Sequence, residues 1–377
     1  MTNLLTERVR QILDATGMTH AAFAERIGID GSKLSKSLGG QRNFSSSELA
    51  AIAQLGRQSV DWLITGAPSR SWQIAARAEP ASLSELQESS KALISAVAER
   101  FDALEALGLQ SNAPALPAPG GAPRLGLQAE ELAMQALQLL GESISLKPTP
   151  DVIDLVEKKL GINVVVANLP RGCDGVSYQD GPFRLVILGT TQQFARQRFT
   201  LGHEIGHILR GDATEIIEEY AVNSTGSSMD EKSERRANAF ASIFLACEED
   251  IRNFLDGRVA EDHFDELCWT FRLTPDAMSR RLLALGMIDA ATRDTLGART
   301  MRSVGMGLGR GASLLTRTGR SASPRAPMHL VQRCIDAYLA GETTLQAAAD
   351  LMCQPVEQVR EALEDDTGDS PSNSGRY

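Results

Sequence analysis

Phe199 to Asp212 reads FTLGHEIGHILRGD and contains His203-Glu204-Ile205-Gly206-His207. Phe194, Leu201, Ile205, Ile208 and Leu209 recur at helical spacing and Gly211 is a stop signal, so the segment is expected to be a helix with one buried face. On a helix, residues four apart stand above one another with β-carbons about 6 Å apart, so both imidazoles can bind one zinc ion at ~2.1 Å. Glu204, one step round, is then placed to take a proton from water at the metal and deliver it to a leaving amine. This pattern points to metal-dependent peptide hydrolysis; the alternative is a core helix with two hydrogen-bonded histidines. Gly202 and Gly206, also four apart, each cost about 1 kcal/mol relative to alanine inside a helix, so another element is expected to pack closely on them.

Two histidines and a water leave one protein ligand missing from a tetrahedral zinc site. The downstream candidates are Asp212, Glu215, Glu218, Glu219, Glu231, Glu234 and His263. Asp230 to Cys247, DEKSERRANAFASIFLAC, is a strong helix whose apolar stripe is Ala237, Phe240, Ala241, Phe244 and Leu245. Glu234, three residues before Ala237, points along the edge of that stripe, where an unpaired carboxylate is costly. The small Ala237 and Ala241 also suit the bare stripe at Gly202 and Gly206. Glu234 is therefore the leading third ligand and Glu231 the runner-up.

Residues from about 125 to 290 resemble the ImmA/IrrE metallopeptidase family, through RQRFTLGHEIGH (Arg196 to His207) and Glu234-Arg235-Arg236-Ala237-Asn238-Ala239-Phe240-Ala241. The resemblance implies a gluzincin-like zinc endopeptidase with His203, His207 and Glu234 as metal ligands and Glu204 as catalytic base, zinc or manganese as cofactor, and a helix-turn-helix repressor as substrate. FRLTPDAMSRRLLALGMID (Phe271 to Asp289) looks like the family's late helix-turn-helix-like segment. Two departures bear on pocket shape: Phe244-Leu245-Ala246-Cys247 stands where the family has Leu-Leu-Met-Pro, and Gly202 replaces its common alanine.

The start of the chain reads differently. Val9, Ile12 and Leu13 make an apolar stripe; Thr19 caps a helix carrying Phe23, Ala24 and Ile27; Gly28 turns the chain; Asp30 caps Gly31 to Leu38; and helices follow at Ser46 to Leu55 and Ser59 to Ile64. This stretch, including MTHAAFAERIGIDGSKLSKSLGGQRNFSSSELAAIAQLGRQSVDWLITG, resembles the XRE (lambda-repressor-like) helix-turn-helix family. The likeness implies that Ser32, Lys33, Ser35 and Lys36 face DNA bases or phosphates and that Gln41 and Arg42 grip the backbone. Seven basic residues against six acidic ones over 4–66 predict weak phosphate-driven affinity for one copy, which dimerisation would roughly double in contacts. A protein-interaction module is the alternative reading.

Leu83 to Leu107 carries Leu86, Ser90, Leu93, Val97, Arg100, Leu104 and Leu107 at four-and-three spacing, a candidate dimer seam spoiled by Ser90 and Arg100; an amphipathic helix packed on its own chain is equally compatible. SNAPALPAPGGAPR (Ser111 to Arg124) is a Pro/Gly spacer, expected to separate the DNA reader from everything catalytic. Helices are expected around Gln128 to Leu140 and Pro150 to Leu160, and strands at Ile162 to Leu169 and Phe183 to Leu188. Ala298 to Arg325 holds six arginines without an acid and reads as a basic Gly/Ser linker.

The expected fold class is α+β multidomain: an all-α helix-turn-helix domain over 1–68, a helical connector over 69–110, the linker at 111–124, an α+β zincin-like metallopeptidase domain over 125–295, a basic linker over 296–327, a small helical module over 328–365 and a disordered tail over 366–377. No apolar run approaches the ~20 residues of a membrane span, MTNLLTERVR carries no export signal, and five scattered cysteines suit reduced thiols. A cytoplasmic protein with no membrane partner is expected. The net charge of −10 argues against a whole-surface nucleic-acid binder. Two functions follow: a DNA-directed zinc endopeptidase that cuts a repressor or other regulator, or a non-proteolytic transcription regulator or antitoxin-like protein whose metal domain senses.

Overall fold

The computed structural model describes residues 4–56, 63, 75–76, 83–109, 114–116, 124–211 and 228–365. The chain divides into two compact units, Met1–Trp72 and Gln73–Tyr377.

Among the described residues the first unit holds four helices, α1 (Leu4–Thr16), α2 (His20–Arg26), α3 (Gly31–Leu38) and α4 (Ser46–Gly56). Their starts follow from local chemistry. The Thr19 hydroxyl accepts from Ala22 N at 3.3 Å and Asp30 accepts from Lys33 N at 2.8 Å, each satisfying a helix-end amide. Ahead of α4, Ser45 and Glu48 cap each other: Glu48 accepts from Ser45 N at 2.9 Å and Ser45 Oγ accepts from Glu48 N at 3.3 Å. Between α2 and α3 the chain turns at Gly28, with φ +76°. The apolar faces meet in one core of Val9, Ile12, Phe23, Leu34, Ile52 and their neighbours. The expected helix at 59–64 lies outside the described residues apart from Leu63, which is buried.

The second unit is built on a sheet of strand order β1-β3-β4-β2, where β1 is Ala75–Ala76, β2 Asn163–Ala167, β3 Gly175–Asp180 and β4 Phe183–Gly189. β2 runs parallel to β4, and β3 is antiparallel to both β4 and β1. Gly181, φ +55°, opens the two-residue turn between β3 and β4. Five helices surround this sheet and its site: α5 (Leu83–Ala106), α6 (Leu125–Leu140), α7 (Thr149–Leu160), α8 (Phe194–Arg210) and α9 (Ser228–Leu245). α8, the motif helix, lies across β3 and β4, and α9 packs on α8 and α6.

The glycine stripe of α8 faces α9. A Cβ on Gly202 would sit 3.0 Å from Leu245 Cδ1 and 3.2 Å from Ala241 Cβ; one on Gly206 would sit 3.0 Å from Phe240 Cδ1 and 3.4 Å from Ala237 Cα. The bare stripe thus lets the two helices that carry His203, His207 and Glu234 approach closely.

Four expectations change. β3 was not foreseen: its alternation, Val176-Ser177-Tyr178-Gln179, spans only four residues, and pairing with β4 along its whole length makes it a strand. The basic linker over 296–327 is instead largely helical, with α13 (Ala290–Gly297), α14 (Met301–Gly307) and α15 (Gly311–Ser321) following α10 (Glu248–Leu255), α11 (Phe264–Phe271) and α12 (Pro275–Ala284). Several of its arginines are used internally. Arg317 donates to Trp269 O at 2.9 Å and lies 4.0 Å over that ring, while Arg325 bonds Asp154 at 2.7 Å and the buried Glu157 at 2.9 Å. Composition suggested a solvated spacer because the partners lie 48 to 171 residues away in sequence.

The expected C-terminal module, α16 (Met328–Leu339), α17 (Gln346–Met352) and α18 (Val356–Asp365), is part of the second unit, with α16 against α5, α7 and β2. α5 is likewise no free dimer helix. Ile94, Val97, Phe101 and Leu104 are buried within the chain, and Arg100 reaches Asp350 at 2.7 Å. Their partners in α16 and α17 lie over 200 residues downstream, so the seam serves the chain's own core. The division between units accordingly falls at 72/73, ahead of the 111–124 spacer, most of which lies outside the described residues together with the 366–377 tail.

Candidate metal centre

His203 and His207 stand on α8 and Glu234 on α9, and one ligand atom from each lies within 4.8 Å of the others. The two Nε2 atoms are 3.1 Å apart. Glu234 places Oε1 3.3 Å from His207 Nε2 and Oε2 3.5 Å from His203 Nε2. Both histidines are buried and the glutamate is half-buried.

The outer nitrogens are also engaged. His203 Nδ1 lies 3.1 Å from Asn238 Oδ1 and His207 Nδ1 lies 3.4 Å from Ser233 Oγ, both from α9. A proton on His203 Nδ1 satisfies the Asn238 oxygen and turns the Nε2 lone pair toward Glu234. Electron-rich atoms converging in a buried space repel one another unless a proton or a cation lies among them. Burial pushes the Glu234 carboxyl up, but the two imidazoles outweigh it and hold the group well below the usual carboxylate range. Two imidazole nitrogens and one carboxylate oxygen suit zinc best and also accept manganese or iron.

Glu204 is buried on the same helix, on the side facing β3. A Cβ on Gly175 would fall 3.1 Å from its Cγ and Oε1 and 2.5 Å from Thr200 Cγ2, so only glycine lets the strand cross there. Beside it the Cys173 thiol is pushed up to about 12 by burial and then by the charge of Glu204, which keeps it neutral.

Of the other candidate ligands, Glu231 is exposed and, with His263, stays outside the cluster; 212–219 lie outside the described residues. The supporting residues were not read from sequence. Asn238 and Ser233 flank Glu234 on α9, and their signal was the spacing of four and one from it. Arg198 is fully buried and donates to the carbonyls of Ile144, Ser145 and Lys147, pinning α8 to the loop between α6 and α7. Its signal was a charge set in the apolar stripe between Phe194 and Leu201.

In the first unit, Ser32, Lys33, Ser35 and Lys36 are exposed on α3 and Gln41 is exposed after it. Arg42 is half-buried: its guanidinium donates to Glu48 at 2.6 Å and to Ser37 Oγ at 3.0 Å, fastening the loop to α4. Opposite charge from Glu48, which also caps α4, is the physical reason.

Residues 157–283 match the family model of the IrrE N-terminal-like domain of the M78 peptidases. The match spans β2, β3, β4, α8 and α9, and so covers every residue of the candidate centre. This part of the chain is thus similar to a metallopeptidase-family domain. A comparison with curated proteins found no match. Among the described residues no helix is long and apolar enough to cross a membrane, and all five cysteines are free.

Proposed function

We propose that the chain is a DNA-binding regulator with a zinc-dependent endopeptidase domain, which cleaves a helix-turn-helix repressor or a related regulator and so relieves repression. The observation that carries this reading is the convergence of His203, His207 and Glu234 beside the buried Glu204. A bound zinc ion supplies Lewis acidity and lowers the pKa of water toward ~7. The chain does the rest. His203, His207 and Glu234 hold the ion, with Asn238 and Ser233 fixing the imidazoles. Glu204 accepts the proton from the attacking water and passes it to the leaving amine nitrogen, and its burial under β3 keeps that carboxylate aimed.

The exposed Ser32, Lys33, Ser35, Lys36 and Gln41 of the first unit are the face offered to DNA, and a pair of copies on one operator would double the phosphate contacts. Such a protein works beside DNA, in the cytoplasm. The test is incubation of the zinc-loaded protein with purified helix-turn-helix repressors, read by gel and mass spectrometry. Glu204→Gln is expected to keep the metal and abolish cleavage. Cleavage by that variant would overturn the assigned base; specific DNA binding with no cleavage by the wild type would leave the non-proteolytic regulator.

A further inference from the structure

A cavity of about 420 Å³ lies where the start of α8 meets α15 and the loop before α7. One wall is apolar, made by Pro148, Pro150, Ile153 and Val166. The other carries Arg272, Arg317 and Arg320 with Thr316, and at its edge Arg325, already paired with Asp154 and Glu157. None of the first three arginines has a carboxylate within 4 Å among the described residues; Arg272 and Arg317 are held instead by carbonyls, Leu146 O at 2.7 Å, Thr270 O at 2.8 Å and Trp269 O at 2.9 Å.

Such an arrangement is electrostatically incomplete. Burial and then the neighbouring Arg272 and Arg310 push Arg317 down to about 10. Burial, Arg272 and Arg317 likewise push the fully buried Arg198 down to about 9. Asp151 offsets the charge of Arg272 in part, but among the described residues Arg317 and Arg320 have no paired carboxylate; like charges gathered this way raise the energy of the folded chain, and an anion between them offsets that cost. The guanidinium fork matches phosphate oxygens in geometry as well as charge. Volume and lining are those of a small-molecule site, with an apolar wall for the body of a ligand and a few polar groups for its head.

We infer that this cavity is a binding site for a small organic phosphate, its phosphate on Arg272, Arg317 and Arg320 and its apolar body against Pro148, Pro150 and Ile153. The site is separate from the metal centre, and three of its arginines or hydroxyls (Thr316, Arg317, Arg320) lie beyond the 157–283 family match. Its floor includes Phe194 and Gln197, the first turn of the helix that carries His203 and Glu204, so occupancy bears on the placement of that helix.

The experiment is calorimetric titration of the full chain with phenyl phosphate, inorganic phosphate and phenol, wild type beside Arg320→Glu. The Arg320 side chain makes no hydrogen bond or ion pair among the described residues, so the variant is expected to fold, and an unchanged thermal melt checks it. Phenyl phosphate should bind at least tenfold tighter than phenol or inorganic phosphate and at least tenfold more weakly to Arg320→Glu. No heat at millimolar phenyl phosphate, or equal binding by wild type and variant, would overturn the site. Inorganic phosphate or phenol binding as tightly as phenyl phosphate would overturn an organic phosphate as its ligand.

Discussion

Asn238 makes a sharp test of how the metal centre is held. Its Oδ1 lies 3.1 Å from His203 Nδ1, and among the described residues no other partner fixes that ring nitrogen. Losing an outer partner of a ligating histidine costs roughly 10–100-fold in metal affinity, which is about 1.4 to 2.8 kcal/mol. Asn238 is half-buried, so water can partly replace its oxygen, and the expected loss for Asn238→Leu is at the tenfold end. Asn238→Asp keeps an acceptor at the same place and adds negative charge near the cation, so it should bind zinc at least as tightly as wild type. The assay is competition between apo protein and a chromophoric chelator at pH 7 and fixed salt, with Glu234→Ala as the benchmark that must lose more than Asn238→Leu. Unchanged affinity in Asn238→Leu would refute the tautomer assignment. So would an Asn238→Asp variant as weak as Asn238→Leu, since the amide would then face His203 with its NH2 group.

Further outcomes follow from contacts elsewhere. Gly175→Ala puts a Cβ 2.5 Å from Thr200 Cγ2 and 3.1 Å from Glu204, so a loss of about 1–3 kcal/mol in chemical denaturation is expected, with any peptidase activity falling while zinc stays bound. Arg325→Met strips the partner from Glu157, whose side chain is 1% exposed; the second unit should lose about 3 kcal/mol, and a change near zero would show that the amides of Val164 and His329 suffice for that carboxylate. Glu48 is held below the usual carboxylate range first by its bond from Arg42, so its contribution to stability is present above that range and is lost as pH falls through the lowered value. Arg42→Ala should therefore flatten the acid limb of the first unit's stability below the usual carboxylate range; an unchanged limb would remove the pair from the account.

The sequence by itself determined the helices and their stops, because these depend on neighbours within a turn: Thr19 and Asp30 as caps, Gly211 as an end, and the apolar stripe of Phe194, Leu201 and Ile205. It also placed His203 and His207 on one face, since four-residue spacing does that in any helix. Glu234 was legible from its edge position and from the fit of Ala237 and Ala241 to the bare stripe of α8. Tertiary structure alone decided what distant segments do to one another. Whether six arginines form a solvated spacer or a packed one depends on Trp269, Asp154 and Glu157, which lie 48 to 171 residues away. β3 exists because β4 supplies its hydrogen bonds, and α5 turns inward because α16 and α17 cover its apolar face. In each case the free energy resides in a partner that local composition cannot name, which is why a cavity lined by Arg272, Arg317 and Arg320 had no trace in the order of the residues.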